Sequence, residues 1–256
     1  MVDSRYSTLI IIEGEQCERA FFKKFVDFLR TEKNTEIVSF SNDIYELYKY
    51  IVELGDTDTK SVILNYCKID DKTRKKLRET KFVNIYLVFD LDIQDGYENE
   101  RETKLKQVAE MLSFFNDETG DYGKLLVNYP MMESYRHLDL DNPNSLNGKA
   151  VEVDNYFLSH GYKCLVGQEG TKKNIGQYNS NDFYNTALAH LSQANLLLHG
   201  EFKKPNHKQY EEVIKIGNIH SKQSDQILNN NKMFVLNTSI FIFSEFYPNM
   251  INAKGQ

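Results

Sequence analysis

Apolar runs and amphipathic stretches alternate along the first half of the chain. Thr8–Ile12 (TLIII) is a short β-branched run that stops at Glu13-Gly14, the pattern of a strand buried on both faces of a parallel sheet. From Gln16 to Arg30, Phe21, Phe22, Phe25, Phe28 and Leu29 recur at helical spacing while Arg19, Lys23, Lys24 and Asp27 face away, which predicts an amphipathic helix. A second strand is expected over Glu36–Phe40 and a second helix over Asp43–Leu54. Residues 56–81 read less clearly: Ser61–Cys67 fits strand or helix, and Asp71–Thr80 is a polar helix rich in lysine and arginine. Val83–Phe89 (VNIYLVF) is the clearest strand and runs into Asp90-Leu91-Asp92. A helix follows at about Asn99–Phe115, then a strand at Lys124–Asn128. This β-α-β order predicts an α/β, Rossmann-like, mostly parallel sheet flanked by helices.

Past residue 140 the pattern changes. Asn142–Lys149 (NPNSLNGK) reads as a turn-rich polar linker. Helices are expected over Val151–Ser159, Asp182–Leu198, His207–Asn230 and Met233–Phe246. The organisation predicted is an α/β domain over 1–140 and a mainly helical C-terminal part over 150–256.

With 256 residues, 41% of them hydrophobic and 27% charged, the chain has ordinary globular composition, which excludes disordered, collagen-like and disulfide-scaffold classes. The net charge of −6 argues against a generic basic coat on nucleic acid. The balance is uneven, since residues 161–256 hold 10 lysines against 7 acids, so any contact with nucleic acid is expected to be local, metal-assisted or helped by a partner. Cys17, Cys67 and Cys164 are scattered and odd in number, which fits a reducing cytoplasm and no structural zinc. No apolar run is long enough for a membrane span or a leader h-region, so a soluble, cytoplasmic protein is expected.

Asp-x-Asp occurs at Asp56/Asp58, Asp90/Asp92 and Asp139/Asp141, but only Asp90/Asp92 comes directly off an apolar strand. Carboxyl ends of strands line the ligand crevice of open parallel sheets. Two carboxylates there repel unless a cation separates them, and hard Mg²⁺ or Mn²⁺ suits oxygen donors. The alternative is a strand that runs into an acidic loop, since Asp95, Glu98 and Glu100 follow. Glu13 has the same strand-end placement, and Gly14 allows a tight turn into the helix. Glu18 lies in the first helical turn, where an acid also favours the helix dipole.

IIIEGEQCERAFFKKF followed by IYLVFDLDIQD resembles the TOPRIM domain of topoisomerases, primases and OLD-type nucleases. The stand-alone TOPRIM-like proteins of bacterial defence islands, RloB-like proteins and PARIS-type effectors, are the nearest in form. Tyr129-Pro-Met-Met-Glu-Ser-Tyr135 is similar to a later Asn-Pro-x-Phe-Glu-x-Trp segment of these families, with Met132 and Tyr135 departing from it. The resemblance covers about residues 5–140. It implies that Glu13 is an acid/base or metal-ligand residue, that Asp90 and Asp92 are metal ligands, and that Glu18 and Glu133 serve a second metal. It also implies a late lysine near the leaving group, for which Lys163, Lys172 and Lys173 are candidates. The function implied is a Mg²⁺- or Mn²⁺-dependent nuclease acting on DNA or RNA, including tRNA, as an anti-phage effector. The acidic balance suggests help from a partner ATPase or a homo-oligomer, and the net-basic C-terminal part is the expected place for the substrate backbone.

Two other readings stand beside it. VFDLDIQDG superficially resembles the haloacid-dehalogenase phosphatase motif, but lies late in the chain and lacks the usual Gly-Thr/Val continuation. A TOPRIM-like fold could also act as a non-catalytic docking module. No P-loop, GxGxxG or GxSxG motif occurs, and the six histidines show no metal spacing.

Overall fold

The computed structural model describes residues 7–31, 34–54, 58–91, 93, 98–153 and 161–246. Strands β1 (Thr8–Ile12), β2 (Thr35–Ser39), β3 (Asn84–Asp90), β4 (Asn116–Asp117) and β5 (Gly123–Asn128) make one sheet in the order β2-β1-β3-β5-β4. β1 pairs in parallel with β2 and β3, Ile10 facing Ile37 on one side and Tyr86 on the other; β4 joins β5 antiparallel. The protein is therefore α/β with a mostly parallel central sheet flanked by helices. Its chain forms two compact units, one of residues 1–89 and 110–126, the other of residues 90–109 and 127–256.

The first unit is built on β1, which is buried along its whole length, as a β-branched run with no polar face requires. Helix α1 (Cys17–Leu29) buries Phe21, Phe22, Phe25, Val26 and Leu29. Phe21 and Phe25 stack at 5.6 Å, and Phe22 meets Phe21 edge-on at 5.2 Å. Truncating a ring such as Phe22 to alanine would cost about 3–5 kcal/mol. The helix ends at Arg30 in the left-handed conformation, φ 57°. Helices α2 (Ile44–Leu54), α3 (Thr59–Tyr66) and α4 (Asp71–Glu79) follow. The segment that fitted strand or helix is helical because Asp58 caps it, accepting from the Ser61 amide at 2.9 Å and the Ser61 hydroxyl at 2.7 Å. Asp70 caps α4 in the same way through Thr73. Helix α5 (Glu98–Phe114) has residues in both units.

The second unit departs more from expectation. Ala150–Glu152 is a strand, β6, rather than the start of a helix, and pairs antiparallel with β7 (Lys232–Phe234). Residues 154–159 of that expected helix lie outside the described residues. The stretch expected as one helix over Met233–Phe246 instead holds β7, a bridge between Leu236 and Tyr129, a 3-10 turn at Ser239–Phe241 and a short final helix over Ile242–Phe246. Its cause is Asn237-Thr238-Ser239, whose side chains and amides bond elsewhere. The Asn237 amide donates to His190 Nδ1 at 3.1 Å, and its side chain donates to the Met132 carbonyl at 3.0 Å. The Thr238 hydroxyl donates to the Val127 carbonyl at 2.8 Å. Short polar side chains of this kind compete with helical bonding.

Helix α6 (Gly161–Glu169) was not expected; it buries Tyr162 and Val166, one turn apart. Helix α7 (Ser180–His199) buries Phe183, Ala187, Leu191 and Ala194 in the register expected, between an Asn179 capping box and Gly200 at φ 78°. The expected helix over His207–Asn230 breaks into α8 (His207–Val213) and α9 (Ile216–Asn230), where Lys215 is extended and the Asn218 side chain bonds the Glu212 carbonyl at 3.1 Å. The final helix α10 spans Ile242–Phe246. The expected linker at 142–149 is packed rather than loose: Leu146 is fully buried, and Gln193 bonds both the Gly148 amide and the Lys149 carbonyl. Among the described residues no helix is long and apolar enough to cross a membrane.

Candidate functional site

In the first unit the acids gather at the turn after β1. The Glu13 amide donates to the Val88 carbonyl at 3.2 Å, and its own carbonyl accepts from the Ser39 hydroxyl at 3.2 Å and the Ser41 amide at 3.0 Å. Three backbone bonds therefore fix the strand-end position of Glu13. Ser41 has φ 60°, a left-handed conformation that costs a non-glycine residue energy, and its hydroxyl donates to Glu15 Oε1 at 3.0 Å. The Glu18 carboxylate folds back over Gly14, so a side chain at position 14 would have to push it aside. Glu13 and Glu18 thus lie around one tight turn.

The second unit holds a different kind of acidic cluster. Asp90 is the last residue of β3, and the fully buried Asn128 points its side-chain amide at Asp90 Oδ1 from 3.5 Å. Glu133 sits in a 3-10 turn (Met132–Arg136) and is only 7% exposed, with Lys163 Nζ 3.3 Å from its Oε1. Beside Lys163 on α6, Tyr162 is 1% exposed and places its hydroxyl 3.1 Å from His137 Nδ1. His137 Nε2 in turn lies 3.2 Å from Glu169 Oε2, an oxygen that Lys149 Nζ also reaches at 3.2 Å.

The tautomer of His137 follows from its partners. A carboxylate can only accept, so Nε2 carries the proton, Nδ1 accepts, and the Tyr162 hydroxyl donates. Burial, with the Lys149 charge second, pulls the His137 pKa below its ordinary value and outweighs the opposing pull of Glu169. Burial raises the Tyr162 pKa, and the negative charges of Glu133 and then Asp90 raise it further. One buried phenol therefore feels both carboxylates, which brings Asp90 and Glu133 into a single electrostatic neighbourhood.

The three candidate lysines sort clearly. Lys172 Nζ donates to the Gly167 and Gln168 carbonyls, closing the end of α6. Lys173 Nζ is 2.5 Å from Asp182, the acid of the α7 capping box. Lys163, paired with Glu133, is the one set beside an expected site residue. Asp92 lies outside the described residues.

Carboxylate oxygens suit Mg²⁺ or Mn²⁺ in kind. Among the described residues no three His, Cys, Asp or Glu side chains form a group able to hold a metal, and Asp92 is not one of those residues. No protein-family model, curated protein or solved structure matches the chain. The residues alone must carry any functional reading.

The strand-end Asp-x-Asp pointed to Asp90 and the TOPRIM resemblance to Glu133, but neither pointed to Asn128, His137, Lys149, Tyr162 or Glu169. A polar residue on an apolar helical stripe was the one available signal: Tyr162 and Val166 share the buried face of α6.

Proposed function

We propose that this chain is a TOPRIM-type phosphodiesterase that hydrolyses nucleic acid with a divalent cation, in the cytoplasm. Asp90 carries the reading: an acid that closes a buried strand of a mostly parallel sheet, next to buried Asn128 and sharing Tyr162 as a neighbour with buried Glu133. Ligand chemistry in such sheets concentrates beyond the carboxyl ends of the strands. A bound Mg²⁺ or Mn²⁺ would polarise the phosphate and lower the pKa of a bound water. Asp90 and Glu133 would contribute oxygen donors, and Asp92, next but one to Asp90, would complete them. Glu13 keeps the proton-handling or ligand role that the TOPRIM resemblance implies, and Lys163 is the preferred lysine for the leaving oxygen. By the same resemblance the chain would serve as an anti-phage effector, triggered by a partner ATPase or by assembly with its own copies.

The test is a calorimetric titration of Mn²⁺ into the wild-type protein, Asp90→Asn/Asp92→Asn and Glu133→Gln, each checked for folding by circular dichroism, followed by nuclease assays on plasmid and tRNA. Saturable binding that disappears in the double variant, with cleavage lost in parallel, is the expected result. Identical titrations for the folded proteins would overturn the metal-dependent reading and leave a docking module in its place.

A further inference from the structure

The most basic stretch of the chain is not in its C-terminal part but in the first unit. Residues 60–81 hold eight lysines and arginines against three acids, in a protein of net charge −6. Helix α4 turns a single apolar residue, Leu77, inward. Lys72, Lys75, Lys76 and Arg78 are exposed on it, as are Lys68 before it and Lys81 after it. Lys75 reaches Glu79 at 3.9 Å and Lys76 pairs with Glu36, so part of this charge is answered locally. The Arg74 guanidinium donates to the Leu64 carbonyl and ties α4 to α3.

At the end of α3, next to these cations, Tyr66 is 45% exposed. Its ring lies parallel to that of Tyr50 on α2, with centroids 4.2 Å apart and an interplanar angle of 10°. Tyr50 in turn makes an edge contact with buried Phe40 at 6.3 Å. Tyr66 is thus the outer member of a stack anchored in the core, a platform already oriented for another flat ring.

We propose that α3 and α4 form a binding surface for single-stranded nucleic acid, with a base stacking on Tyr66 and the phosphates running along the cations of α4. The proposal deepens the nucleic-acid reading given above and rests on it for the class of ligand, but it needs no catalysis. Two independent features select this partner. The cations match a phosphate backbone, and a pre-stacked exposed ring matches an unpaired base, whereas duplex bases are stacked on each other and an anionic lipid surface offers no ring.

The experiment is fluorescence anisotropy with labelled twelve-nucleotide dT and rU oligomers, in EDTA and across a salt series. The proteins are wild type, Tyr66→Ala, Tyr66→Phe and Lys72→Glu/Lys75→Glu, all exposed positions, with folding checked by circular dichroism. Wild type is expected to bind single strands more tightly than the matching duplex. Tyr66→Ala should weaken binding about tenfold or more while Tyr66→Phe retains it. The double charge reversal should weaken binding at low salt and flatten the log–log salt slope by at least about 1.4, the share of two phosphate contacts on a single strand. Binding should persist in EDTA, where no metal-dependent hydrolysis can occur, which separates this surface from the hydrolytic reading. Equal affinity of wild type and Tyr66→Ala, equal affinity for strand and duplex, or binding to phosphatidylserine vesicles without binding to the oligomers would each overturn the proposal.

Discussion

The two units each present a set of acids, and they treat carboxylates in opposite ways. In the first, Glu13, Glu15 and Glu18 crowd a turn held by backbone amides and serine hydroxyls. In the second, Asp90 and Glu133 are set among buried Asn128, Tyr162 and His137, with a lysine on Glu133. Water screens the former; in the latter each charge shifts its neighbours, as the raised Tyr162 pKa records. The same residue type is a turn feature in one unit and a source of local field in the other. Tuned chemistry is expected where carboxylates are enclosed, and that can be tested.

The largest effect should separate the units outright. Asp90→Asn should lower phosphodiester hydrolysis about a thousandfold at saturating Mn²⁺, while Glu18→Gln changes it less than threefold. Equal losses measured under single-turnover conditions would erase the distinction between the units.

Acid should act on the second unit first. All six histidines belong to it. Burial holds the His190 pKa down to about 3, from an ordinary 6.5, and burial lowers His137 and His220 in the same direction. The folded state resists a proton that the unfolded chain accepts. The contribution of neutral His190 is therefore complete above about pH 6.5 and is lost as the pH falls toward 3. At pH 5 that amounts to roughly 2 kcal/mol. Urea midpoints at pH 7.5 and pH 5 should show it, and His190→Asn, which keeps an acceptor for the Asn237 amide, should flatten the dependence.

Tyr162→Phe should cost about 1–2 kcal/mol by leaving His137 Nδ1 without its donor. Nitrogen chemical shifts of the His137 ring would report the change, and an unchanged spectrum would contradict the tautomer assigned above. The smallest effect belongs to the first unit. Ser41→Ala should be less stable than Ser41→Gly, by about 0.5–1 kcal/mol, because both lose the hydroxyl bonds but only alanine keeps the left-handed cost.

What could be read from the chain follows the range of the forces involved. β1, α1 and β3 announce themselves because TLIII, the spaced phenylalanines and NIYLVF write their burial into neighbouring positions. Asp90 was visible for the same reason, at the edge of an apolar run. His137, Tyr162 and Glu169 were not, since residues 25 and 32 positions apart meet only after the second unit has packed. The C-terminal run misled because its apolar residues resemble a helix, whereas Asn237 and Thr238 commit their bonds to Met132 and Val127. Helix propensity was overridden by partners more than a hundred residues upstream.

That last feature sets an order in time. Every residue of the first unit has been polymerised once residue 126 is added, but Val127, Asn128 and Met132 wait for Asn237, Thr238 and Ser239. At about 5–20 residues per second, a ribosome takes roughly 6–20 s to make the intervening chain. Through that interval β5 has its C-terminal end without the strap that later holds it, so the end of the strand is the last part of it to be secured.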